Sequence, residues 1–306
     1  MKQDISVIIL TYNEEQHLER CITSLQSSVK EIFIVDSFST DRTIEIAKAL
    51  GVKVYSNKWV NYAVQFQWGL DNCDINTKWV MRMDADEYIL PELSDEISQK
   101  IDSLDDEISS IYMKRRVFFM NQWIKHGGYY PIWLLRIWKF EYGKIEERWM
   151  DEHIKVSQGK SIQFENDLVD HNLSNLTAWT QKHNNYATRE AIDLLNYIYD
   201  FVKYDDVKPN LFGSQAERKR WLKVRYSKLP LFIRPILYFH YRYFIQLGFL
   251  DKKAGFIWHF LQGFWYRFLV DAKINEIYFR AGKDKKNILN FIEQEYQIKF
   301  DTQDKQ

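Results

Sequence analysis

The sequence is poor in several features that mark common classes of protein. It has two cysteines, Cys21 and Cys73, which lie far apart, so neither a disulfide framework nor a cysteine-based metal site is predicted. No uncharged apolar stretch approaches 18 residues, so we expect no membrane-spanning helix. Residues 1–4 lead directly into a strand-like run and lack the length and cleavage site of a signal peptide. These absences predict a cytoplasmic protein.

The charge balance and the first turn exclude further classes. Lys+Arg and Asp+Glu number 42 each, so no bulk positive charge favours nucleic acid as a partner. Residues 5–11 (ISVIILT) form a β-branched run of the kind buried in parallel sheets, and the turn that follows, 12–15 (YNEE), contains no glycine. Because neither G-x-G-x-x-G nor G-x-x-x-x-G-K is found there, dinucleotide and P-loop binding are not favoured.

The remaining pattern predicts an α/β fold. Strand-like runs at 5–11, 32–36, 52–55 and 79–83 alternate with helical patterns of about ten residues, which is typical of βαβ units and a parallel sheet. Further along the chain we predict a helix at 92–101, strands at 110–119, 133–138, 154–156 and 168–169, and a helix from a Ser174 cap to about residue 201. The predicted domains are a catalytic domain at 1–204, with halves at about 1–90 and 91–204, and a helical region at 205–306.

Polar side chains follow three of the predicted strands, at the point where each strand ends. They are Thr11, Asn13 and Glu14 after the first strand, Asp36 after the second, and Asp84 and Asp86 after the fourth. The carboxyl edge of an open parallel sheet is where ligands bind. Side chains two apart in an extended segment point the same way, so Asp84 and Asp86 offer two hard oxygen ligands that suit Mg²⁺ or Mn²⁺ carrying a diphosphate. The alternatives are a turn with solvated acids for this pair and helix capping for Asp36.

Three segments resemble, in order and spacing, the leading motifs of the family-2 inverting glycosyltransferases of the GT-A fold. They are residues 7–14 (VIILTYNE), 35–43 (VDSFSTDRT) and 84–87 (DADE), and the resemblance covers roughly residues 4–200. Residues 128–131 (GYYP) through Arg136, and residues 151–153 (DEH), resemble the branch that includes lipopolysaccharide-core glucosyltransferases. The resemblance implies a GT-A-type, mostly parallel sheet flanked by helices, a nucleotide-diphospho-sugar donor such as a UDP-sugar, a divalent metal (Mn²⁺ or Mg²⁺) and inversion at the anomeric carbon.

The resemblance also implies roles for single residues. Thr11, Asn13, Glu14 and Asp36 would hold the nucleoside, and Asp84 and Asp86 would hold the metal and the diphosphate, with Asp86 the more direct ligand. The helix before the fourth strand usually carries an Asn in this family, where the chain offers Gln65 or Gln67; the longer amide of Gln67 could still reach the nucleotide.

A general base is expected some 65 residues after the metal motif. In the branch resembled, the acid of a short His-Glu or Asp-Glu pair takes this role, which implies Glu152 or Asp151 here. Transfer with inversion needs one such carboxylate, on the face of the sugar opposite the leaving group. The other interpretation is a charged cluster at a strand end that continues Glu146 and Glu147.

Two further residues have two interpretations each. His171 could complete the metal site, since Mn²⁺ tolerates imidazole, or it could be a hydrogen-bonded structural histidine. Arg136 lies in an apolar run, 133–138 (WLLRIW), so its guanidinium should be paired or face a cleft. Its partner would be a diphosphate or acceptor phosphate, or a carboxylate in an internal salt bridge. Residues 126–130 are expected to form a loop over the acceptor.

The region 215–283 is basic and aromatic, with 14 Lys/Arg against 4 Asp/Glu. Basic residues mixed with Trp, Tyr and Phe are typical of helices that lie in a membrane interface, where they meet anionic headgroups, although a helical pair packed on the catalytic domain or a dimer contact is the alternative. Asp251 is expected to cap one of these helices.

The combined prediction is an inverting hexosyltransferase that acts on a lipid-linked, lipopolysaccharide-type or capsule-type glycan, peripheral on the cytoplasmic face of the cell membrane. The competing functions are a sugar nucleotidyltransferase, which normally has a glycine-rich, Arg-containing first loop, and a non-catalytic membrane-bound scaffold.

Overall fold

The computed structural model describes residues 2–146, 153–201, 210, 212 and 215–298. The predicted bases Asp151 and Glu152 therefore lie outside the described residues. The chain divides into two compact units, the first formed by Met1–Ser174 with Leu250–Gly255 and the second by Asn175–Phe249 with Phe256–Gln306.

The first half of the first unit is a parallel α/β sheet. Its strands are β1 (Gln3–Thr11), β2 (Val29–Asp36), β3 (Lys53–Ser56) and β4 (Trp79–Asp84), and its helices are α1 (Leu18–Leu25), α2 (Thr43–Ala49) and α3 (Tyr62–Asn72). Strand β1 is central and pairs in parallel with β2 and β4, while β3 lies outside β2. Gly51 follows α2 with a φ of +73°, the left-handed conformation that glycine commonly adopts just after a helix.

The second half of this sheet is mixed. Its elements are β5 (Glu87–Ile89), α4 (Pro91–Lys100), β6 (Ile108–Phe119), β7 (Gln122–Ile124), β8 (Ile132–Lys139) and β11 (Lys160–His171); β9 (Gly143–Ile145) and β10 (Ile154–Val156) form a separate ribbon. The strand order is β3-β2-β1-β4-β8-β6-β11-β5, with β7 paired to β6. Strand β8 is antiparallel to both β4 and β6, whereas β6 and β11 are parallel. The predicted α/β class is confirmed, and the parallel pairing is concentrated in the first four strands.

Strand β8 contains a β-bulge at Arg136. Ile111 of β6 pairs with Ile137, and the next residue, Tyr112, pairs with Leu135. Arg136 therefore has no pairing partner on β6. A bulge of this kind bends a strand and redirects the side chain at the extra position. The sequence pattern of β8 gives no sign of it.

Side chains of β1 alternate between the two faces of the sheet. Ile5, Val7 and Ile9 pack in a cluster with residues of α1 and α4, while Ile8 packs on the other face with residues of α3. All four are fully buried, and burial of one such side chain contributes roughly 1.5–3 kcal/mol. The sheet is thus fixed from both sides, which holds its carboxyl edge in place.

The second unit is helical. Its elements, with the short helix that joins the units, are α5 (Leu176–Tyr199), α6 (Gln215–Ser227), α7 (Ile233–His240), the π-helix Tyr241–Ile245, α8 (Lys252–Trp258), the π-helix His259–Trp265, α9 (Tyr266–Ala281) and α10 (Lys285–Tyr296). Ala187 and Leu195 of α5, Ile274 of α9 and Ile288 of α10 share one core. Among the described residues, no helix combines the length and the apolar character that crossing a membrane requires.

The structure differs from the sequence prediction at two helix caps. Helix α5 is capped by Asn175 and not by Ser174, because the Asn175 side chain accepts a hydrogen bond from the Ala178 amide. Asn is at least as good a cap as Ser, so the sequence could not separate the two. Asp251 stands directly before α8, while its two carboxylate oxygens bond His126.

Candidate active site

The ends of β1, β2 and β4 are level with one another. Thr11 pairs with Asp36, and Leu10 pairs with Asp84, so the polar residues that end these strands share one edge of the sheet. This is the arrangement that the sequence predicted. The carboxyl edge is also where ligands bind in open α/β sheets.

Asp36 holds the turn that follows β2. It is fully buried, and its Oδ1 accepts a hydrogen bond from the Thr11 hydroxyl at 2.8 Å. Its Oδ2 accepts from the Ser39 amide at 2.8 Å. These bonds stabilise the turn after β2, and the binding of a nucleoside by Asp36 stays a prediction. Thr11 is its hydrogen-bond donor.

The two loops at this edge are joined by hydrogen bonds. The Asn13 side-chain oxygen accepts from the Thr40 amide at 2.8 Å, and the Thr43 hydroxyl accepts from the Glu14 amide at 2.7 Å. Asn13 itself is exposed, with a φ of 56° that asparagine tolerates better than most residues. The Glu14 carboxylate lies 2.6 Å from Nδ1 of His17. The side-chain NH2 group of Asn13 therefore lies at an edge that hydrogen bonds between the two loops hold in place.

Asp84 is held in its ionised form. The Tyr62 hydroxyl donates to its Oδ1 at 2.7 Å, and the Arg136 guanidinium lies 3.5 Å from its Oδ2. Burial alone would raise the pKa of this carboxyl, but Arg136, Arg82 and the Tyr62 hydrogen bond outweigh it and hold the pKa well below its usual range. The group is thus a carboxylate at any working pH.

Arg136 is buried and forms an internal salt bridge. Its guanidinium contacts Glu87 at 2.5 Å as well as Asp84. Because burial opposes ionisation and two carboxylates share one guanidinium, the pKa of Glu87 is raised to about 8. The second interpretation of Arg136 therefore describes the structure. Arg136 acts on the candidate metal site through Asp84.

Asp86 lies beside His171. The Asp86 carboxylate accepts from the Asn172 side chain at 2.9 Å, and its backbone carbonyl accepts from the His171 amide at 3.1 Å. Arg20 donates to both carbonyls, of Asp86 at 3.3 Å and of His171 at 2.6 Å. Burial, together with Arg20 and His17, lowers the pKa of His171. The ring stays neutral near pH 7, the form in which imidazole binds a metal.

The carboxylates suit a hard divalent cation. Asp84 and Asp86 offer oxygen ligands at a strand end, and Asp86 is partly exposed. Within the described part of the chain, no group of three or more His, Cys, Asp or Glu is placed to hold a metal ion. Mg²⁺ is commonly held by one or two carboxylates while substrate phosphates supply further oxygens. The donor set therefore fits an ion that arrives with a diphosphate.

The two candidate glutamines of α3 point to different places. The Gln65 amide is fully buried and donates to the Ser37 hydroxyl at 3.1 Å, so it lies beside the edge formed by β1 and β2. Gln67 donates to Asp71 at 2.8 Å and accepts from the Ile145 amide at 3.3 Å. Residues two apart on a helix point about 200° apart, which explains the difference. Gln65 lies on the side of the strand-end polar residues.

Sequence reasoning missed several residues of this site. They are Arg20, Tyr62, Arg82, Glu87 and Asn172. Glu87 and Asn172 are sequence neighbours of predicted residues, and that adjacency was a usable signal. Tyr62 and Arg20 come from helices, and their place at the site depends on how those helices pack.

Comparison with known proteins gives one family and several partial relatives. Residues 6–169 match the family described as "Glycosyl transferase family 2". An uncharacterised glycosyltransferase of Rickettsia typhi is 43% identical over 93 residues, which is 30% of this chain and 31% of that protein. The lipopolysaccharide core biosynthesis glycosyltransferase LpsC of Rhizobium meliloti is 32% identical over 135 residues, 42% of this chain and 47% of LpsC. The chain spans between about a third and a half of the length of these curated relatives.

Solved structures show a weaker likeness. Glucosyl-3-phosphoglycerate synthase from Mycobacterium tuberculosis, in complex with Mn²⁺, UDP and glucosyl-3-phosphoglycerate, is 23% identical with a TM-score of 0.30, over 37% of this chain and 44% of that one. A second mycobacterial protein is 21% identical with a TM-score of 0.32, over 37% of this chain and 41% of that one. Neither similarity carries an argument about the site.

Proposed function

This chain belongs to glycosyl transferase family 2, and we propose that it transfers a hexose from a nucleoside-diphosphate sugar, a UDP-sugar in the first place, onto a lipid-linked glycan of the lipopolysaccharide or capsule type. The observation that carries the proposal is the level arrangement of Thr11, Asp36 and Asp84 at one sheet edge, with Asp86 two residues further on. In this arrangement, Thr11 and Asp36 would contact the nucleoside of the donor, and Asp84 and Asp86 would lie near its diphosphate.

In this proposal, Asp84 and Asp86 hold a divalent cation, Mn²⁺ or Mg²⁺, and Asp86 is the more direct ligand. Bound there, the cation neutralises negative charge that develops on the departing diphosphate. Arg136 and Tyr62 keep Asp84 ionised and oriented, and Asn172 orients Asp86. His171 is a further candidate ligand, since its amide is bonded to Asp86.

The acceptor hydroxyl attacks the anomeric carbon from the face opposite the diphosphate. A new carbon–oxygen bond forms as the bond to the diphosphate breaks, the diphosphate leaves with the electron pair, and the hydroxyl proton passes to a carboxylate. We assign that carboxylate to Glu152 or Asp151. One displacement with one base gives inversion.

An apolar surface on the second unit supports a membrane-bound acceptor. Its large exposed side chains are Ile233, Ile236, Leu237, Tyr241, Phe244, Ile245 and Phe260. Exposed basic residues of the same unit include Arg218, Arg225 and Lys228. Apolar and basic side chains together suit the interface of an anionic leaflet, such as the inner face of a cell membrane. LpsC, which is named for lipopolysaccharide core biosynthesis, supports the same class of acceptor.

The test is a donor panel with the full-length protein. Each UDP-, GDP- and dTDP-hexose is incubated with Mn²⁺, and release of the nucleoside diphosphate is measured with and without EDTA. We expect metal-dependent release from a UDP-hexose. Asp86→Asn should lower it by on the order of 100-fold or more, while Asp102→Asn, on an exposed carboxylate, should leave it unchanged. Release that is equal in EDTA, or unchanged in Asp86→Asn, contradicts the assigned site.

A further inference from the structure

One face of the β6 strand carries a second group of charged and aromatic side chains, away from Asp84 and Asp86. Lys114 and Arg116 alternate along β6, so they point to the same side of the sheet. Trp123 of β7, Trp133 of β8 and Tyr130 of the connecting loop contact them or one another. We call these five residues the cationic aromatic recess.

The contacts of the recess are specific. The Arg116 guanidinium lies 4.5 Å from the centroid of the Trp123 ring, and the Lys114 ammonium lies 5.6 Å from that of Trp133. The rings of Trp123 and Tyr130 pack edge to face, with their centroids 5.0 Å apart. Lys125, an exposed residue, adds a third cation 5.3 Å from the Trp123 ring.

One buried carboxylate lies at the base of the recess. Asp167 accepts from Arg116 at 2.6 Å and from the Tyr130 hydroxyl at 3.0 Å, and Lys114 lies 3.5 Å from it. Two cations therefore contact one acid, while Lys125 lies over the Trp123 ring. The acid fixes Arg116 and Lys114 in position, and the recess keeps an excess of positive charge.

Hydrogen-bond donors remain open in the recess. The indole Nε1 of Trp123 is buried and has no acceptor among the described residues. A buried N–H without an acceptor is costly. Arg116 bonds Asp167 through Nε, its side chain is 32% exposed, and a guanidinium has five N–H donors.

The recess is fixed on both sides and joined to the candidate active site. Asp251, 4% exposed, bonds the amide and the ring of His126 in the loop that leads to Tyr130. The side-chain oxygen of Asn121, two residues before Trp123, accepts a hydrogen bond from Nε2 of His171 at 3.0 Å, and the His171 amide donates to the Asp86 carbonyl. A glycan lying in the recess would therefore be close to the proposed metal site.

We propose that the cationic aromatic recess binds the acceptor glycan through a sugar that carries an oxyanion, a phosphate or a carboxylate. This inference rests on the proposed function and names the acceptor class. The indole faces cover the apolar side of the sugar ring, and Arg116 and Lys125 bind the oxyanion. A neutral sugar would lack the charged contacts with Arg116 and Lys125.

The test uses the full-length protein with Mn²⁺ and UDP present. Binding of glucose 6-phosphate, methyl glucuronide and methyl glucoside is measured by isothermal titration calorimetry and by saturation-transfer NMR. We expect at least one of the two anionic sugars to bind about 10-fold or more tighter than the neutral glycoside. The phosphate and carboxylate arms identify which oxyanion is preferred.

Variants locate the binding. Lys125→Gln and Arg116→Gln should each weaken the anionic sugar several-fold, and Trp123→Phe should weaken it while keeping a ring. Arg42→Gln is the matched control, because Arg42 lies in an exposed ion pair with Glu45. Lys125 is exposed and makes no hydrogen bond within the described residues, so its variant tests the charge without disturbing the fold.

Two outcomes overturn the inference: equal affinity for neutral and anionic sugars, or an anion preference that survives both Lys125→Gln and Arg116→Gln. UDP binding, titrated separately in the same protein preparations, keeps the two proposals distinct. If the wild type fails to bind UDP with Mn²⁺, the proposed donor site is wrong, while the sugar titration repeated without UDP still decides the recess.

Discussion

Arg136 is the residue that links the fold to the candidate metal site. Its guanidinium is buried between Glu87 and Asp84, and the bulge in β8 places it there. A buried charge without a partner is far more costly than a buried pair, since neither water nor a counter-ion remains to solvate it. The local stability of the carboxylate motif therefore depends on one ion pair.

Above pH 8, where Glu87 is ionised, Arg136→Met is expected to lower the free energy of unfolding by roughly 3–5 kcal/mol, because it leaves Glu87 buried without its cation. The double variant Arg136→Met with Glu87→Met should recover much of this loss, since both charges are then gone. Urea unfolding followed by circular dichroism measures both effects.

Arg42→Met is the control for that series, because its ion pair with Glu45 is exposed and should contribute little. A double variant that is less stable than the single one would show that the ion pair is not what makes Arg136 necessary.

Helices and strands differ in how far their sequence predicted them. The β-branched run of β1 and the apolar runs of β2 and β4, each ended by polar residues, predicted three strands and their common edge. The partner of Arg136 could not be predicted, because it depends on β8 lying antiparallel beside β4 and on a bulge that only the pairing reveals. The choice between Gln65 and Gln67 depended on the rotation of α3, which short periodicity does not fix.

Helix α5 contains a histidine that burial keeps neutral. The His183 ring stacks on Trp179 with centroids 3.5 Å apart, and its Nδ1 lies 2.8 Å from the Trp179 carbonyl. Burial, assisted by Lys182, lowers the pKa of His183 to about 4 against the bond to Trp179. Between pH 6.5 and 4, His183 is therefore neutral in the folded protein and protonated in the unfolded chain.

We expect the free energy of unfolding to fall as the pH is lowered from about 6.5 to about 4, because across that window the unfolded chain binds a proton at His183 and the folded chain does not. His183→Gln should reduce this dependence on pH. Denaturant titrations at pH 7, 6, 5 and 4 measure it as the difference between the wild type and the variant.

His240→Gln is the matched control: its Nδ1 contacts the carbonyl four residues earlier, as in His183, but the ring is exposed. If His183→Gln and His240→Gln change the pH dependence equally, burial of His183 is not its cause.

At the scale of the whole molecule, the second unit exposes several large apolar side chains, which water solvates poorly. Large apolar patches on a protein surface commonly mark interaction sites. The adjacent π-helices, Tyr241–Ile245 and His259–Trp265, are segments that recur at functional sites. We propose that this surface lies at a membrane interface.

Ile245→Asp should reduce co-sedimentation of the full-length protein with vesicles of phosphatidylglycerol and phosphatidylcholine, since Ile245 is 71% exposed and a buried carboxylate opposes insertion. Phe279→Asp, at another exposed apolar position of the same unit, is the control and should sediment as the wild type does. Equal loss in both variants, or binding that is independent of the anionic lipid, contradicts the membrane assignment.

The return of Leu250–Gly255 to the first unit has a practical consequence for anyone who shortens this protein. A stop codon placed near residue 213, which the change in composition invites, would also delete Asp251 and leave His126 without its carboxylate. If such a fragment failed to bind the proposed glycan, the loss of Asp251 alone would be sufficient to explain it, without any role for the helices that are proposed to contact lipid. Point substitutions are therefore better suited than deletions to separating catalysis from the proposed membrane binding.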